Sequence, residues 1–173
     1  MSHYYLVSSL PHLTLEGALP FSAQEFGVMC EGVLSESELA DVQLLLGLAE
    51  GAPQTDVARR WLAQEKLLTQ EVARTRADCS GVDLKIVQGY TGVVEPGVSH
   101  AFSVSNPGAR ELELDKLRWS LVEKIGADEG YGFAAVVAFA VKLTLVARWS
   151  ALSKHEGEAK LERLITESAE LDF

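Results

Sequence analysis

Apolar residues recur at helical spacing through most of this chain. Leu39, Val42, Leu45, Leu46 and Ala49 follow the capping-box sequence Ser35-Glu36-Ser37-Glu38, which predicts a helix with Ser35 as N-cap, stopped by Gly51-Ala52-Pro53. A long helix is predicted from about Thr55 to Asp78, its stripe running Val57, Trp61, Leu68 and Val72 with Ala58 and Leu62 beside it. Glu65 falls inside that stripe. A carboxylate there has to be half-buried or paired, because lone buried charge is costly. Leu114, Leu117, Leu121 and Ile125 define a further helix over Arg110–Ile125, with Gly126 as its stop. From Gly132 to about Leu152 the chain is apolar nearly all round, as in the central helix of a bundle, with Lys142 and Arg148 its only interior charges. Gly157 to Leu171 reads as a last amphipathic helix through Leu161, Leu164 and Ile165.

Three stretches are less regular. Residues 3–10 are β-prone, alternate weakly and end at Pro11, which predicts one short extended segment. Pro20-Phe21-Ser22 opens a short helical stretch to about Cys30. Residues 80–108 hold Gly81, Gly89, Gly92, Gly97, Gly108, Pro96 and Pro107, with β-like runs at Val82–Val87 and Val98–Val104 between them. They read as a connector holding either a small hairpin or a short helix. The expected fold is mainly α: a two-lobed helical bundle with a short N-terminal extended segment and a Gly/Pro-rich connector. Residues 1–80 form an acidic N-terminal segment and first lobe, 81–108 the connector and 109–173 the C-terminal lobe.

Charge changes this picture by being uneven. The 173 residues carry 15 Lys and Arg against 25 Asp and Glu, a formal net charge of −10. Residues 1–58 hold eight acids and no Lys or Arg, and Arg59 is the first basic residue. Such a field repels phosphates, which argues against nucleic acid and against an anionic membrane surface as partners. Glu36, Glu38 and Asp41 are instead candidates for docking on a basic surface, either a partner's or that of Arg59, Arg60, Arg74 and Arg76 on the long helix. The opening Met1–Val7 lacks the basic start and long apolar run of a signal peptide, and the apolar stretch Phe133–Ala147 falls short of about 20 residues, so a cytoplasmic protein without a membrane span is expected. Cys30 and Cys79 read as two reduced thiols.

No catalytic motif stands out: the chain has no P-loop, no Gly-x-Ser-x-Gly and no His-Glu-x-x-His. The glycine-rich Gly126–Gly132 joins two predicted helices and lacks the strand-to-helix context of a phosphate cradle. His3, His12, His100 and His155 lie too far apart in sequence for helical metal-ligand spacing. No catalytic residue, cofactor or metal site is therefore assigned. The distinctive feature is a repeated dipeptide, since every tryptophan follows an arginine: Arg60-Trp61, Arg118-Trp119 and Arg148-Trp149. Adjacent helical residues point about 100° apart, so each pair can bury its indole while the guanidinium reaches a carboxylate. The pairs read either as anchors for a partner, where Trp and Arg are enriched, or as core tryptophans with ion pairs stitching the lobes. Lys142 shares an apolar face with Phe139, Val146 and Trp149 and needs a partner, for which Asp115, Glu123 and Glu65 are the candidates. The interaction or lobe-stitching set is thus Trp61, Glu65, Arg118, Trp119, Glu123, Lys142, Arg148 and Trp149.

Two stretches carry a resemblance. Tyr4-Tyr5-Leu6-Val7-Ser8-Ser9-Leu10-Pro11 resembles the start of an uncharacterised bacterial family encoded within V-type (A/V-type) ATPase gene clusters. Leu114-Asp115-Lys116-Leu117-Arg118-Trp119, then Lys142-Leu143, Arg148-Trp149, Gly157 and Leu164-Ile165, are similar to that family's Leu-Arg-Trp, Lys-Leu and Arg-Trp pattern. The chain departs from it at Val122-Glu123, where the family has Asp-Glu, and at Leu68-Thr69-Gln70, where it tends to Leu-Arg-Asn; the Arg-Ala that follows is matched by Arg76-Ala77. More distantly, the family resembles the helical C-type central-stalk component of rotary ATPases, whose eukaryotic counterpart is the d-type component.

The resemblance implies an all-helical, non-catalytic structural, coupling or assembly subunit whose partners are other V/A-type ATPase subunits. It would be cytoplasmic, peripheral to the inner face of the membrane through that complex. Two alternatives belong to other classes. One is a small cytoplasmic enzyme with an interlobe pocket using Glu65, Lys142 and Glu123; the other is a generic adaptor binding an amphipathic helix.

Overall fold

The computed structural model describes residues 3–81, 92, 94–128 and 130–152. Seven helices run through these residues: α1 (Tyr4–Ser9), α2 (Ala23–Cys30), α3 (Glu36–Leu45), α4 (Asp56–Ser80), α5 (Glu95–Ser103), α6 (Pro107–Ala127) and α7 (Phe133–Ala151). Local chemistry sets the start of four helices and the end of one. Ser22 and Ser35 each open a helix with a reciprocal capping box: the Ser35 N–H donates to Glu38 Oε2 at 2.9 Å while the Glu38 N–H donates back to Ser35 Oγ. Thr55 and Asn106 cap α4 and α6 by accepting the N–H of Ala58 and Ala109. Gly81 closes α4 in the left-handed conformation, at φ 69°.

The three long helices form the frame. Arg60 pairs with Asp128, Glu65 with Arg118 and Arg76 with Glu111, so α4 and α6 run antiparallel. Gly126 sits against Ala138 while Asp115 meets Arg148, so α6 and α7 are antiparallel too. A Cβ on Gly126 would lie 2.7 Å from the Ala138 Cβ, and glycine is what lets these two backbones approach so closely. α7 is the central element, packed by α2, α3, α4 and α6. Its Val136, Val137, Ala140 and Val146 are wholly buried, which accounts for its all-round apolar character. At 19 residues and mean hydropathy 1.6 it is long and apolar enough to cross a membrane by composition alone; within the fold most of it lies inside the bundle.

One element differs from the sequence reading, and the connector takes the second of its two expected forms, a short helix. The expected N-terminal extended segment is helix α1. Its Ser8 and Ser9 hydroxyls donate back to the Tyr4 and Leu6 carbonyls, and Leu6 is buried in the core. Six residues are too few for helical and strand periods to separate, and burial of Leu6 overrides the β-propensity of its neighbours. The β-like run Val98–Val104 lies mostly in α5, where Val98 and Ala101, one turn apart, are both fully buried. The run Val82–Val87 and the last helix expected at Gly157–Leu171 lie outside the described residues. One hydrophobic core extends from Leu6 through Phe26, Trp61 and Leu121 to Val146, and so passes through both expected lobes.

Candidate functional site

The charged side chains of the interaction or lobe-stitching set gather in two clusters. In the larger one, Asp115 of α6 is completely buried and gathers three donors. Arg118, one turn on, donates from Nη1 to Asp115 Oδ1 at 2.8 Å. Arg148 of α7 donates from Nη1 to Oδ2 at 3.0 Å, and the Trp149 indole N–H reaches the same oxygen at 2.9 Å. The other donors of both arginines turn outward to further carboxylates. Arg118 Nε reaches Glu65 Oε1 on α4 at 2.9 Å, and Arg148 Nη2 reaches Glu111 Oε2 at 3.1 Å, which also accepts from Arg76 of α4 through its second oxygen. Glu65, Arg118, Asp115, Arg148, Glu111 and Arg76 thus alternate in sign across α4, α6 and α7.

That alternation is the electrostatic condition for burying Asp115, because its charge and each guanidinium have opposite neighbours within hydrogen-bond distance. Burial works against the Arg118 charge, but Glu65 and Asp115 outweigh it and hold its pKa above the ordinary arginine value. Asp115 entered the sequence reading only as a possible partner for Lys142. Its place at the centre was signalled by its spacing: it lies one turn before Arg118 and two turns before the buried Val122, on the core side of α6. Glu111 was missed, being one of several acids along the N-terminal half of α6.

The second cluster joins α6 to α7 about Glu123. Lys142 donates to Glu123 Oε1 at 2.7 Å and the Trp119 indole N–H to the same oxygen at 3.1 Å, while the Lys142 ammonium lies 4.7 Å from the Trp119 ring centroid. Of the three partners considered for Lys142, the structure selects Glu123. The hydrogen bond from Lys142 holds the Glu123 carboxyl below the ordinary carboxylate range. Glu65, Lys142 and Glu123, the three residues of an interlobe pocket, are divided between the two clusters and do not converge.

Two clefts flank this second cluster, separated by the segment around His12 and Leu13. One, of about 320 Å³, is lined by Val7, Leu10, Phe139 and Lys142; the other, of about 310 Å³, by Thr14, Lys116, Trp119 and Glu123. Among the described residues, no group of three or more His, Cys, Asp or Glu is placed to hold a metal ion.

The remaining tryptophan and the acidic docking residues behave differently. Trp61 is buried in the core, and its neighbour Arg60 reaches Asp128 just beyond α6. Asp41, expected to dock on a basic surface, is completely buried: Oδ1 and Oδ2 accept the backbone N–H groups of Gln54 and Thr55, both at 2.7 Å. It anchors the entry to α4, at the N-cap Thr55 and the residue before it, close to the end of the helix whose dipole favours an anion, and is buried away from a partner. Glu38 is spoken for by Ser35 and by His3 Nε2 at 3.1 Å. Burial works against its charge, and the bonds from Ser35 and His3 outweigh it, lowering its pKa. Glu36 alone of the three is exposed. The long-helix arginines take other partners: Arg59 pairs with Asp56, Arg60 with Asp128, Arg74 with Glu71, Asp78 and Glu95, and Arg76 with Glu111.

A family model described as a protein of unknown function (DUF2764) matches residues 98–170. The matched stretch begins inside α5, spans α6 and α7, and contains Asp115, Arg118, Trp119, Glu123, Lys142, Arg148 and Trp149. Neither the curated proteins nor the solved structures contain a match to the chain.

Proposed function

We propose that this chain is a non-catalytic structural, coupling or assembly subunit of a bacterial V/A-type rotary ATPase, resembling the C-type central-stalk component, and that it works on the cytoplasmic side of the membrane through contacts with other subunits. The observation that carries this reading is the coincidence of two sets of residues. The stretch resembling the ATPase-cluster family, Leu114–Trp119 with Lys142-Leu143 and Arg148-Trp149, supplies Asp115, Arg118, Trp119, Lys142, Arg148 and Trp149 to the two charged clusters, while Glu111 and Glu123 of α6 lie outside it.

In these clusters the resembling residues bond one another across helices. A protein that holds partners in register, or passes torque between them, needs long helices that do not slide. Directional pairs between α4, α6 and α7, centred on the buried Asp115, oppose sliding more specifically than apolar packing does, because a shifted register would strand that charge. The function so described needs no substrate pocket and no cofactor.

The test is affinity purification of the ATPase through a tag on a nucleotide-binding subunit, followed by mass spectrometry. This chain is expected in the purified complex at a fixed ratio to the other subunits. Its consistent absence from intact complex would overturn the proposal.

A further inference from the structure

Helix α2 is apolar on two sides. Phe26 and Cys30 point inward and are fully buried, and Phe26 packs on Phe139 of α7 with ring centroids 4.9 Å apart. Its outer side carries Val28 and Met29, of which Val28 is 64% exposed. Leu48, beyond α3, folds back onto this helix: a Cβ on Gly27 would lie 3.3 Å from Leu48 Cδ1. Val33 stands at the turn that follows α2, its N–H bonded to the Cys30 carbonyl. All four of these apolar side chains are exposed. An outward apolar face on a short surface helix has no role in the helix's own packing, which Phe26 and Cys30 already supply.

Exposed acids belong to the same elements. Glu25 lies one turn before Val28 and Met29, Glu31 one turn after Val28, and Glu50 two residues after Leu48. The Ser22 backbone and hydroxyl groups hold the Glu25 carboxyl below its ordinary pKa, so it is ionised at neutral pH. No Lys or Arg occurs anywhere in residues 1–58 to balance these charges.

We propose that the outer face of α2, together with Val33 and Leu48, docks a basic amphipathic helix of another protein, its apolar stripe on Val28, Met29 and Leu48 and its Lys or Arg rims against Glu25, Glu31 and Glu50. Charge selects this occupant over the others. Residues 153–173 of the chain itself carry six acids against three bases, and a second copy would bring a net −10 and the same acids. An anionic membrane surface is repelled by the rim. A short apolar stripe between complementary charges is the usual recognition mode of helix on surface. This face is separate from the two charged clusters, and the inference stands whether or not the partner belongs to a rotary ATPase.

The experiment uses fluorescence anisotropy of labelled peptides of about 18 residues, five helical turns, added to the full chain. One peptide arranges Leu and Lys amphipathically, a second has the same composition in scrambled order, and a third replaces Lys with Glu. The amphipathic Leu/Lys peptide is expected to bind, and the other two to bind at least about tenfold more weakly. Val28→Ser, at an exposed site that leaves the core intact, is expected to weaken binding about tenfold. Glu31→Gln with Glu50→Gln is expected to weaken it at low salt, with the difference shrinking as salt rises. Equal binding of the scrambled peptide, or unchanged binding by Val28→Ser, would overturn the proposal. So would sedimentation of the chain as a dimer that Val28→Ser converts to monomer, since a second copy would then be the occupant.

Discussion

Arg148 reaches across from α7 to bond both oxygens of Asp115 on α6, at 3.2 and 3.0 Å, and Trp149 beside it donates to the same carboxylate. The Arg-Trp dipeptide therefore works as a two-pronged donor, one residue charged and one neutral, on a single buried acid. Arg118-Trp119 divides its work differently, sending the guanidinium to Asp115 and Glu65 and the indole to Glu123.

Asp115 is buried and is shared by the half-buried Arg118, the exposed Arg148 and the Trp149 indole, so removing its charge takes a partner from all three at once. Asp115→Ala is expected to destabilise the protein by about 3–5 kcal/mol. Glu111→Gln, at the more exposed end of the same chain of charges, is expected to change stability by about 1 kcal/mol or less. Urea unfolding of the two variants measures the difference, and equal effects would mean that burial of Asp115 has little energetic consequence.

Asp41 holds the segment that enters α4 through the backbone N–H groups of Gln54 and Thr55. Asp41→Ala is expected to cost about 1–3 kcal/mol, while Glu36→Gln is expected to stay within about 0.5 kcal/mol of the parent. Thermal unfolding checks both, and the contrast separates a structural acid from a surface one within the same short helix.

The Lys142–Glu123 pair has a defined pH signature. A carboxylate whose folded pKa is depressed contributes stability above its unfolded value, near 4.3 for Glu, and loses that contribution as pH falls through the lower folded value. Glu123 is more than half exposed, so the contribution at neutral pH is about 0–1 kcal/mol. Glu123→Gln is expected to be slightly less stable than the parent at pH 7, with the difference shrinking as pH falls below the unfolded value, as read by denaturant midpoints.

Burial raises the Cys30 thiol to about 12, whereas Cys79 is exposed at the end of α4. One thiol per chain is therefore expected to react with a water-soluble thiol reagent in the native protein at pH 8, and two in denaturant. Mass spectrometry of the labelled peptides should place the native label on Cys79.

How far the fold was legible follows from what each element had to work with. α3 and α4 were readable because Ser35 and Glu38 form a reciprocal box and Val57, Trp61, Leu68 and Val72 keep one face over several turns. α1 was not, because Tyr-Tyr-Leu-Val favours strand locally and its helix is settled by burial of Leu6 against distant residues. Glu65 and Lys142 were marked as needing partners because each interrupts an apolar face, and both have them. Asp115 was read only as a possible partner for Lys142, whereas its donors are Arg118, Arg148 and Trp149, two of them on a helix that no local spacing places against it. The exchange of Asp41 from docking residue to helix anchor depends on the turn before α4 coming back to meet it, and no local spacing encodes that return.

The central claim is that the chain serves a rotary ATPase in a structural or coupling role without chemistry of its own. ATP-driven ion transport in membrane vesicles, compared with ATP hydrolysis in the same vesicles after deletion of this chain and after its restoration, tests that most directly. The account predicts that deletion lowers transport, through lost coupling or lost assembly, and that restoring the parent chain recovers it. Fully coupled transport in the deletion vesicles would contradict it.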